Sequence, residues 1–226
     1  MNQDIQIICV VSNFEIFGSM IGKNPFMNIF PVQAYDNTAD NIGIPKRYNH
    51  FIDHHMKDDA WLVFCHQDFG FSEDPAATLK HLDRTGIYGP IGAVKKKGFY
   101  FRHGKLTFSK KTLLGQIQQA RNDSNYFPHG VHLDKPQIVD TVDCCCLVVH
   151  SSLIKKYDLR FDEHLDFHLY SEDFSLNARY KYGIRTRAVQ MDARHMSFGD
   201  TSREFHASLE YLKTKYRGIN FVGTCF

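Results

Sequence analysis

Residues 61–71, WLVFCHQDFGF, contain an apolar run that stops abruptly at polar side chains. The first four residues are apolar without alternation, which predicts a strand buried on both faces of its sheet. His66, Gln67 and Asp68 follow it, at the kind of strand end where open α/β sheets bind their ligands. His66 and Asp68 could offer an imidazole and a carboxylate to one cation. Because Asp is also common in turns, this segment alone leaves an ordinary turn equally open.

Length and composition exclude several classes of protein. The 226 residues are enough for one sizeable core, so we expect a single domain over residues 1–226. Its 27 basic and 25 acidic residues nearly balance, which gives no reason to expect nucleic acid as a partner. The longest apolar runs fall short of the about 20 residues that cross a bilayer, so no transmembrane segment is predicted. With no signal-like amino terminus, we expect a soluble cytoplasmic protein.

The rest of the chain alternates strand-like and helix-like segments, which predicts an α/β fold. We expect a mostly parallel central sheet flanked by helices, with a small hairpin over residues 99–108 and a loop over residues 122–136. Ser171 is a good N-cap and Gly183 a good end for one of the helices. The predicted strands are 4–13, 30–35, 61–64, 86–94, 138–150 and 184–191, and the predicted helices are 45–57, 75–82, 151–157, 171–183 and 201–216.

Two near-matches to known motifs fail on a required residue. Residues 18–24, GSMIGKN, resemble a phosphate-binding P-loop, but they have one residue too few between the glycines and Asn24 follows the lysine. His50 and His54 have the spacing of a zinc-protease helix, but Phe51 stands where the general-base glutamate is required. Neither an ordinary Walker ATPase nor a metalloprotease is therefore expected.

Polar residues recur after the other predicted strands and at one helix start. Further candidate site residues follow strands at Asn13, Asp36 and Asn37, Asp143 interrupts a buried strand, and His195 lies in a late polar loop. Glu172 and Asp173 fall in the first turn of the helix predicted over residues 171–183. Helix N-termini attract acids for dipole reasons alone, yet the same dipole would keep a general base ionised.

Taken in chain order, these residues resemble a glycosyltransferase of the GT-A fold, in the group similar to inverting family-two enzymes. The likeness covers most of the chain and also includes RYN at residues 47–49, similar to the tract before the metal strand. AWLVFCHQDFGF at residues 60–71 looks like that group's strand ending in a variant DxD motif, with His66 in place of the first Asp. The resemblance also rests on two later segments, which are residues 142–149, VDCCCLVV, and residues 160–183, RFDEHLDFHLYSEDFSLNARYKYG.

The resemblance implies a metal-dependent, hexosyltransferase-type enzyme that moves a sugar from a nucleotide-sugar, expected to be a UDP-sugar, to a carbohydrate or other hydroxyl acceptor with inversion. Asp68 would coordinate Mn²⁺ or Mg²⁺, with imidazole ligands favouring manganese. Asp173 would deprotonate the acceptor, with the adjacent Glu172 as the alternative base. The remaining implied roles are metal binding by His66 and His195 and substrate binding by Asn13, Asp36 (uracil or ribose), Asn37, Asn49 and Asp143.

Two other functions remain open at this point. A nucleotidyltransferase of related architecture would also place a metal and a nucleotide at these strand ends. A non-catalytic carbohydrate-binding protein would keep the fold without turnover. Transfer from UDP-sugars, pyrophosphate release from a nucleoside triphosphate, or neither reaction would distinguish the three.

Overall fold

The computed structural model describes residues 4–102, 105–120, 125–197 and 202–226. Its strands are β1 (Asp4–Val11), β2 (Val32–Asp36), β3 (Ala60–His66), β4 (Phe69–Phe71), β5 (Ile87–Gly89), β6 (Gly92–Arg102), β7 (Lys105–Gln119), β8 (Phe127–Val131), β9 (Gln137–Val139), β10 (Thr141–Val142), β11 (Cys146–His150), β12 (Thr186–Ala188) and β13 (Ala193–His195). Its helices are α1 (Phe14–Phe17), α2 (Ile44–His54), α3 (Pro75–Leu79), α4 (Ser151–Tyr157), α5 (Tyr170–Tyr182) and α6 (Arg203–Lys215), with a π-helical turn at Gly18–Gly22 after α1.

A seven-stranded sheet in the order β2-β1-β3-β11-β5-β12-β9 forms the centre of the molecule. β1 is parallel to both β2 and β3, and β5 is parallel to β12. β11 runs antiparallel to β3 and β5, and β9 runs antiparallel to β12. The α/β prediction is confirmed, but the sheet is mixed rather than mostly parallel because β11 enters between β3 and β5 in the opposite direction.

A second sheet has the order β10-β6-β7-β13-β4, with β8 paired to β7. β6 and β7 form a long antiparallel hairpin from Gly92 opposite Leu114 to Arg102 opposite Lys105, which confirms the predicted hairpin. The turn at residues 103–104 lies outside the described part of the chain. β13 lies between β7 and β4 and brings His195 opposite Phe69, close to the end of β3.

The central sheet is buried on both faces, as its unalternating apolar strands predict. Leu62 and Phe64 of β3 pack in the core cluster that includes residues of α2, α4, α5 and α6. Val63 and Cys65 point to the other face and join the cluster that includes Phe69 of the second sheet. Within the described residues, no helix has both the length and the apolar character that a bilayer crossing requires.

Several predicted boundaries are wrong for reasons of long-range pairing. Of the loop predicted over residues 122–136, residues 122–124 lie outside the described chain, whereas Phe127–Val131 form β8 by pairing with β7. The strand predicted over residues 138–150 is three strands, because the chain leaves the central sheet for the second sheet at β10 and returns at β11. Asp140 lies at the first break, where its carboxylate pairs with Arg179 at 2.8 Å.

The start of α5 also differs from the prediction. Leu169, in a left-handed conformation with φ 61°, is the N-cap, and Ser171 lies inside the helix. The Ser171 hydroxyl lies 3.2 Å from the carbonyl oxygen of Val142, so it contacts the strand β10 instead of capping the helix. The helix ends as predicted at Gly183, whose φ of 71° suits a residue without a side chain.

Candidate functional site

A cavity of about 990 Å³ opens at the carboxyl ends of β1 and β3. Ser12 follows β1 and His66 ends β3, while His195 reaches the cavity from β13. Glu172 enters from the first turn of α5, and Phe205 from α6. The strand-end geometry that the sequence predicts is therefore present, and residues from both sheets meet there.

His66, Asp68 and His195 form one compact cluster on the cavity wall. A ligand atom from each lies within 4.8 Å of those of the other two. Nε2 of His195 is 3.4 Å and Nδ1 of His66 is 3.9 Å from Oδ1 of Asp68. The backbone N–H of Met196 donates to the carbonyl of Asp68 at 3.0 Å and keeps β13 beside the end of β3. The three residues proposed as metal ligands from the sequence are thus brought together.

A tyrosine from α5 orients the His66 ring. The Tyr170 hydroxyl donates its single proton to the carbonyl of Cys144 at 3.1 Å. Its 2.8 Å contact with Nε2 of His66 is then satisfied by the tautomer that carries the proton on Nε2, because a hydroxyl has one proton to give. In this tautomer Nδ1 of His66 carries the lone pair on the side of Asp68, as a metal-binding imidazole requires.

Two of the three side chains, Asp68 and His66, hold the charge states that a cation needs. Burial raises the pKa of the Asp68 carboxyl, but the neighbouring His195 and His66 outweigh it and lower that pKa to about 2. Burial lowers the pKa of His66, which favours the neutral ring. Burial also lowers the pKa of His195, but Asp68 and Asp143 outweigh it and raise that pKa, so a cation would displace a proton there.

The cluster fits a divalent metal ion by its own geometry. Oδ1 of Asp68 and Nε2 of His195 are buried, and neither has a hydrogen-bond partner in the described part of the chain. Buried polar atoms without partners are costly, and a shared cation would satisfy both. One carboxylate oxygen and two imidazole nitrogens suit a first-row divalent metal such as manganese.

Glu172 and Asp173 are adjacent, but they face different surroundings. Glu172 lines the cavity, where the thiol of Cys144 donates to its Oε2 atom at 3.2 Å. Asp173 is not among the lining residues, and its Oδ1 atom pairs with Lys215 at 2.7 Å and accepts from Tyr216 at 2.9 Å. The resemblance implies Asp173 as the base, but of the two residues only Glu172 lines the cavity. The catalytic role of either residue stays a prediction.

Asp143 also lines this cavity. Its carboxylate accepts from the backbone N–H of Cys145 at 2.8 Å and from the hydroxyl of Thr224 in the carboxyl-terminal segment. Burial raises the pKa of Asp143, but His195 and these donors outweigh it and lower that pKa. Asp143 therefore holds a negative charge beside Glu172, and this charge is one reason why the pKa of Glu172 is raised.

Three of the predicted substrate-binding residues make local hydrogen bonds in the loops after β1 and β2. Asn13 caps α1, accepting from the backbone N–H groups of Glu15 and Ile16 at 3.0 and 3.2 Å. The carboxylate of Asp36 accepts from the backbone and hydroxyl of Thr38 and is exposed outside the cavity. Asn37 does line the cavity, but its side-chain amide exchanges two hydrogen bonds with the backbone of Ile42.

Asn49 is the least exposed of the predicted substrate-binding residues. It is buried on α2, donates to the carbonyl of Phe161 at 2.9 Å and accepts from the N–H of the same residue. Its amide also donates to Glu163. Asn49 therefore joins α2 to the loop before α5. It does not line the cavity.

Sequence reasoning missed three residues that shape the site: Cys144, Phe167 and Tyr170. Cys144 stood within a run of apparently buried cysteines, and nothing in the sequence indicates that its thiol meets Glu172. Tyr170 precedes the predicted helix start, and its contact with His66 spans 104 positions of chain. Phe167 is a large apolar residue within a polar stretch, HLDFH, and that local contrast was a signal for it.

No family model matches the chain, and no curated protein matches its sequence. Solved structures do resemble it. S. aureus TarS 1–349 in complex with UDP-GlcNAc has a TM-score of 0.56 and 13% identity, covering 97% of this chain and 68% of that one. The same protein in complex with UDP has a TM-score of 0.56 and 11% identity over 97% and 67% of the two chains. A longer TarS structure has a TM-score of 0.53 and 12% identity over 96% of this chain and 40% of that one.

At 11–13% identity this similarity concerns the fold. It agrees with the central sheet and the helices around it. The fold that the sequence resemblance implies is confirmed: this chain has the fold of the GT-A glycosyltransferases.

Proposed function

We propose that this protein is a metal-dependent glycosyltransferase that moves a sugar from a nucleotide-sugar to a hydroxyl acceptor with inversion. The observation that carries the proposal is the cluster of His66, Asp68 and His195, which shares one cavity with the carboxylate of Glu172. A cation that stabilises the leaving diphosphate and a base for the acceptor hydroxyl would together support a single displacement, and these residues would supply both.

The donor is proposed to be a UDP-sugar. TarS has been crystallised with UDP and with UDP-GlcNAc, and it has the same fold as this chain. His66, Asp68 and His195 would hold a divalent cation, for which manganese is the first choice because two of the three ligands are imidazoles. When bound, the cation would offset the negative charge that develops on the departing diphosphate.

Glu172 is the proposed base. Its carboxylate would take the proton of the acceptor hydroxyl while the hydroxyl oxygen bonds to the anomeric carbon. The bond from that carbon to the diphosphate oxygen breaks, and its electron pair leaves with the nucleotide. Because one displacement exchanges the two bonds, the configuration inverts.

Asp68→Asn tests the metal site directly. The substitution keeps the shape but removes the anionic ligand, so we expect Mn²⁺ affinity to fall by about 100-fold or more, with metal-dependent UDP binding lost. Mn²⁺ binding by electron paramagnetic resonance and UDP binding by calorimetry measure the two effects. Asp58→Asn is the matched control, because Asp58 carries an exposed carboxylate that lies outside the cavity and has no predicted role in binding.

Turnover separates this proposal from the alternatives. UDP release from UDP-GlcNAc with Mn²⁺, and product anomers assigned by NMR, would support an inverting glycosyltransferase. Pyrophosphate release from UTP and a sugar phosphate would instead identify a nucleotidyltransferase. Saccharide binding without either reaction would leave a carbohydrate-binding protein, and unchanged Mn²⁺ affinity in Asp68→Asn would contradict the metal site.

A further inference from the structure

The aromatic ring of Phe167 is exposed inside the cavity. Its side chain is 57% exposed, although it lines the same cavity as Glu172 and His66. Phe127, which is 42% exposed, also lines this cavity. Exposed aromatic rings in a cavity that combines apolar side chains with a few polar groups are typical of ligand-binding surfaces.

The loop that carries Phe167 is firmly anchored. Leu165 and Leu169 on either side are buried in the core. The backbone N–H of Ile44 donates to the carbonyl of Asp166 at 2.7 Å. Leu169 adopts φ 61°, an unfavourable conformation for a residue with a side chain, and the surrounding packing has to maintain it. The ring of Phe167 is thus presented to the cavity by a loop that is held in place on both sides.

The ring lies beside the groups that would carry out the transfer. Its plane is nearly parallel to that of His66, at 16° with 6.2 Å between ring centroids, and the ring of His168 meets it edge-on at 5.1 Å. Phe167 also precedes the proposed base, Glu172, by five positions in the same segment. Glu172 lines the same cavity, so a substrate that rests on this ring would share the cavity with the proposed base.

The residues that line the cavity away from the metal cluster limit what that substrate can be. Asp166 and Glu204 are among them, and no lysine or arginine is among the described lining residues. Carboxylates accept hydrogen bonds from hydroxyl groups but repel phosphates and other carboxylates. Asp166 and Glu204 are exposed, so both are available to hydroxyl groups of a bound ligand.

We propose that the acceptor is a neutral carbohydrate whose ring stacks on Phe167. This inference rests on the proposed transferase function and names the acceptor class for the same site. The C–H face of a sugar ring packs against an aromatic ring, and its hydroxyl groups reach the carboxylates around it. Phe167 would bind the acceptor and leave the nucleotide to the metal cluster.

The test measures UDP release from UDP-GlcNAc with Mn²⁺ in the presence of added sugars. The neutral sugars are methyl glucoside, methyl galactoside and N-acetylglucosamine, and the matched anionic sugars are glucose phosphate and glucuronate. We expect at least one neutral sugar to stimulate release and the anionic sugars to stimulate it less. Phe167→Leu, which removes the flat ring but stays apolar, should raise the KM for that neutral sugar about tenfold.

Phe167→Trp keeps a flat ring and should keep the KM close to that of the wild type, whereas a purely structural role would not separate Trp from Leu. Tyr180→Ala is the control for loss of an exposed aromatic residue, because Tyr180 is 46% exposed and lies outside the cavity. UDP affinity by calorimetry should be equal in all these proteins.

The possible failures are distinguishable. No UDP-GlcNAc binding and no UDP release in the wild type would contradict the proposed function itself. Donor binding without stimulation by any neutral sugar, or stronger stimulation by the anionic sugars, would overturn only the acceptor class. An unchanged KM in Phe167→Leu, or an equal loss of UDP affinity in that variant, would overturn the role of the ring.

Discussion

Two carboxylates at the start of α5 face two different regions of the molecule. Glu172 faces the cavity, and Asp173 faces α6, although each residue is only 1% exposed. Burial and the charge of Asp143 raise the pKa of Glu172 to about 8. Burial also raises the pKa of Asp173, but Lys215 and Tyr216 oppose it.

The two residues share the helix dipole and the degree of burial, and they differ in the partners that their carboxylates meet. Asp173 is paired with a cation, and Lys215 also binds Asp162 at 2.7 Å, so this region joins α6 to the loop before α5. Glu172 has a thiol as its neighbour and a like charge nearby. A buried carboxylate that lacks a cationic partner is costly to the fold, and such groups are found at functional sites.

The largest effect is expected for Glu172→Gln. If Glu172 is the base, this variant should lower the transfer rate by about 100- to 10,000-fold, because an amide cannot accept the acceptor proton. UDP and Mn²⁺ affinities should be unchanged, which calorimetry measures. A transfer rate close to that of the wild type would show that another group removes the proton.

The same variant tests the raised pKa through stability. Because the folded state binds the Glu172 proton more tightly than the unfolded state does, the free energy of unfolding should fall as pH rises from about 4.5 to about 8. Glu172→Gln removes this titration, so its stability should fall less over that range. Denaturant unfolding of both proteins at several pH values provides the measurement.

Asp173→Asn should affect stability instead of chemistry. The substitution weakens the contacts with Lys215 and Tyr216, so we expect a loss of about 2 kcal/mol in the free energy of unfolding. The transfer rate should stay close to that of the wild type at temperatures where the variant is folded. Chemical denaturation measures the first effect and a transfer assay the second.

Glu210→Gln is the matched control for that variant. It removes an α6 carboxylate that pairs with Lys213. Both side chains are largely exposed, so the free energy of unfolding should not change. A folded Asp173→Asn variant without transfer would reverse the assignment and identify Asp173 as the base.

The sequence predicted the parts of the site that depend on local pattern. The apolar run of β3 and the polar residues after it indicated a strand end, and Asp68 does lie beside His195 there. The family resemblance, rather than periodicity, indicated His195 as its partner. The structural reason is the pairing of β13 with β4, which brings residues far apart in the chain opposite each other.

The sequence could not decide between Glu172 and Asp173. Successive residues of a helix point about 100° apart, and the sequence does not show which of the two directions faces the cavity. The answer depends on where α6 packs. Tyr216 and Lys215 lie more than 40 positions from Asp173, and their contacts with it arise only in the folded chain. The contact between the Cys144 thiol and Glu172 escaped prediction for the same reason, since 28 positions of chain separate the two residues.

The smallest effect is expected for Cys144→Ala. A base must be ionised, so transfer by the wild type should rise with pH through about 8, the pKa of Glu172. The hydrogen bond from Cys144 stabilises the ionised carboxylate and lowers that pKa. Without it, the midpoint of kcat/KM against pH should move upward by about half a unit at saturating metal. Cys144→Ser retains a donor and should move the midpoint less. Equal midpoints in the Ala variant and the wild type would mean that the thiol does not lower the pKa of Glu172. The contact with Cys144 would then not distinguish Glu172 from Asp173 in its chemistry.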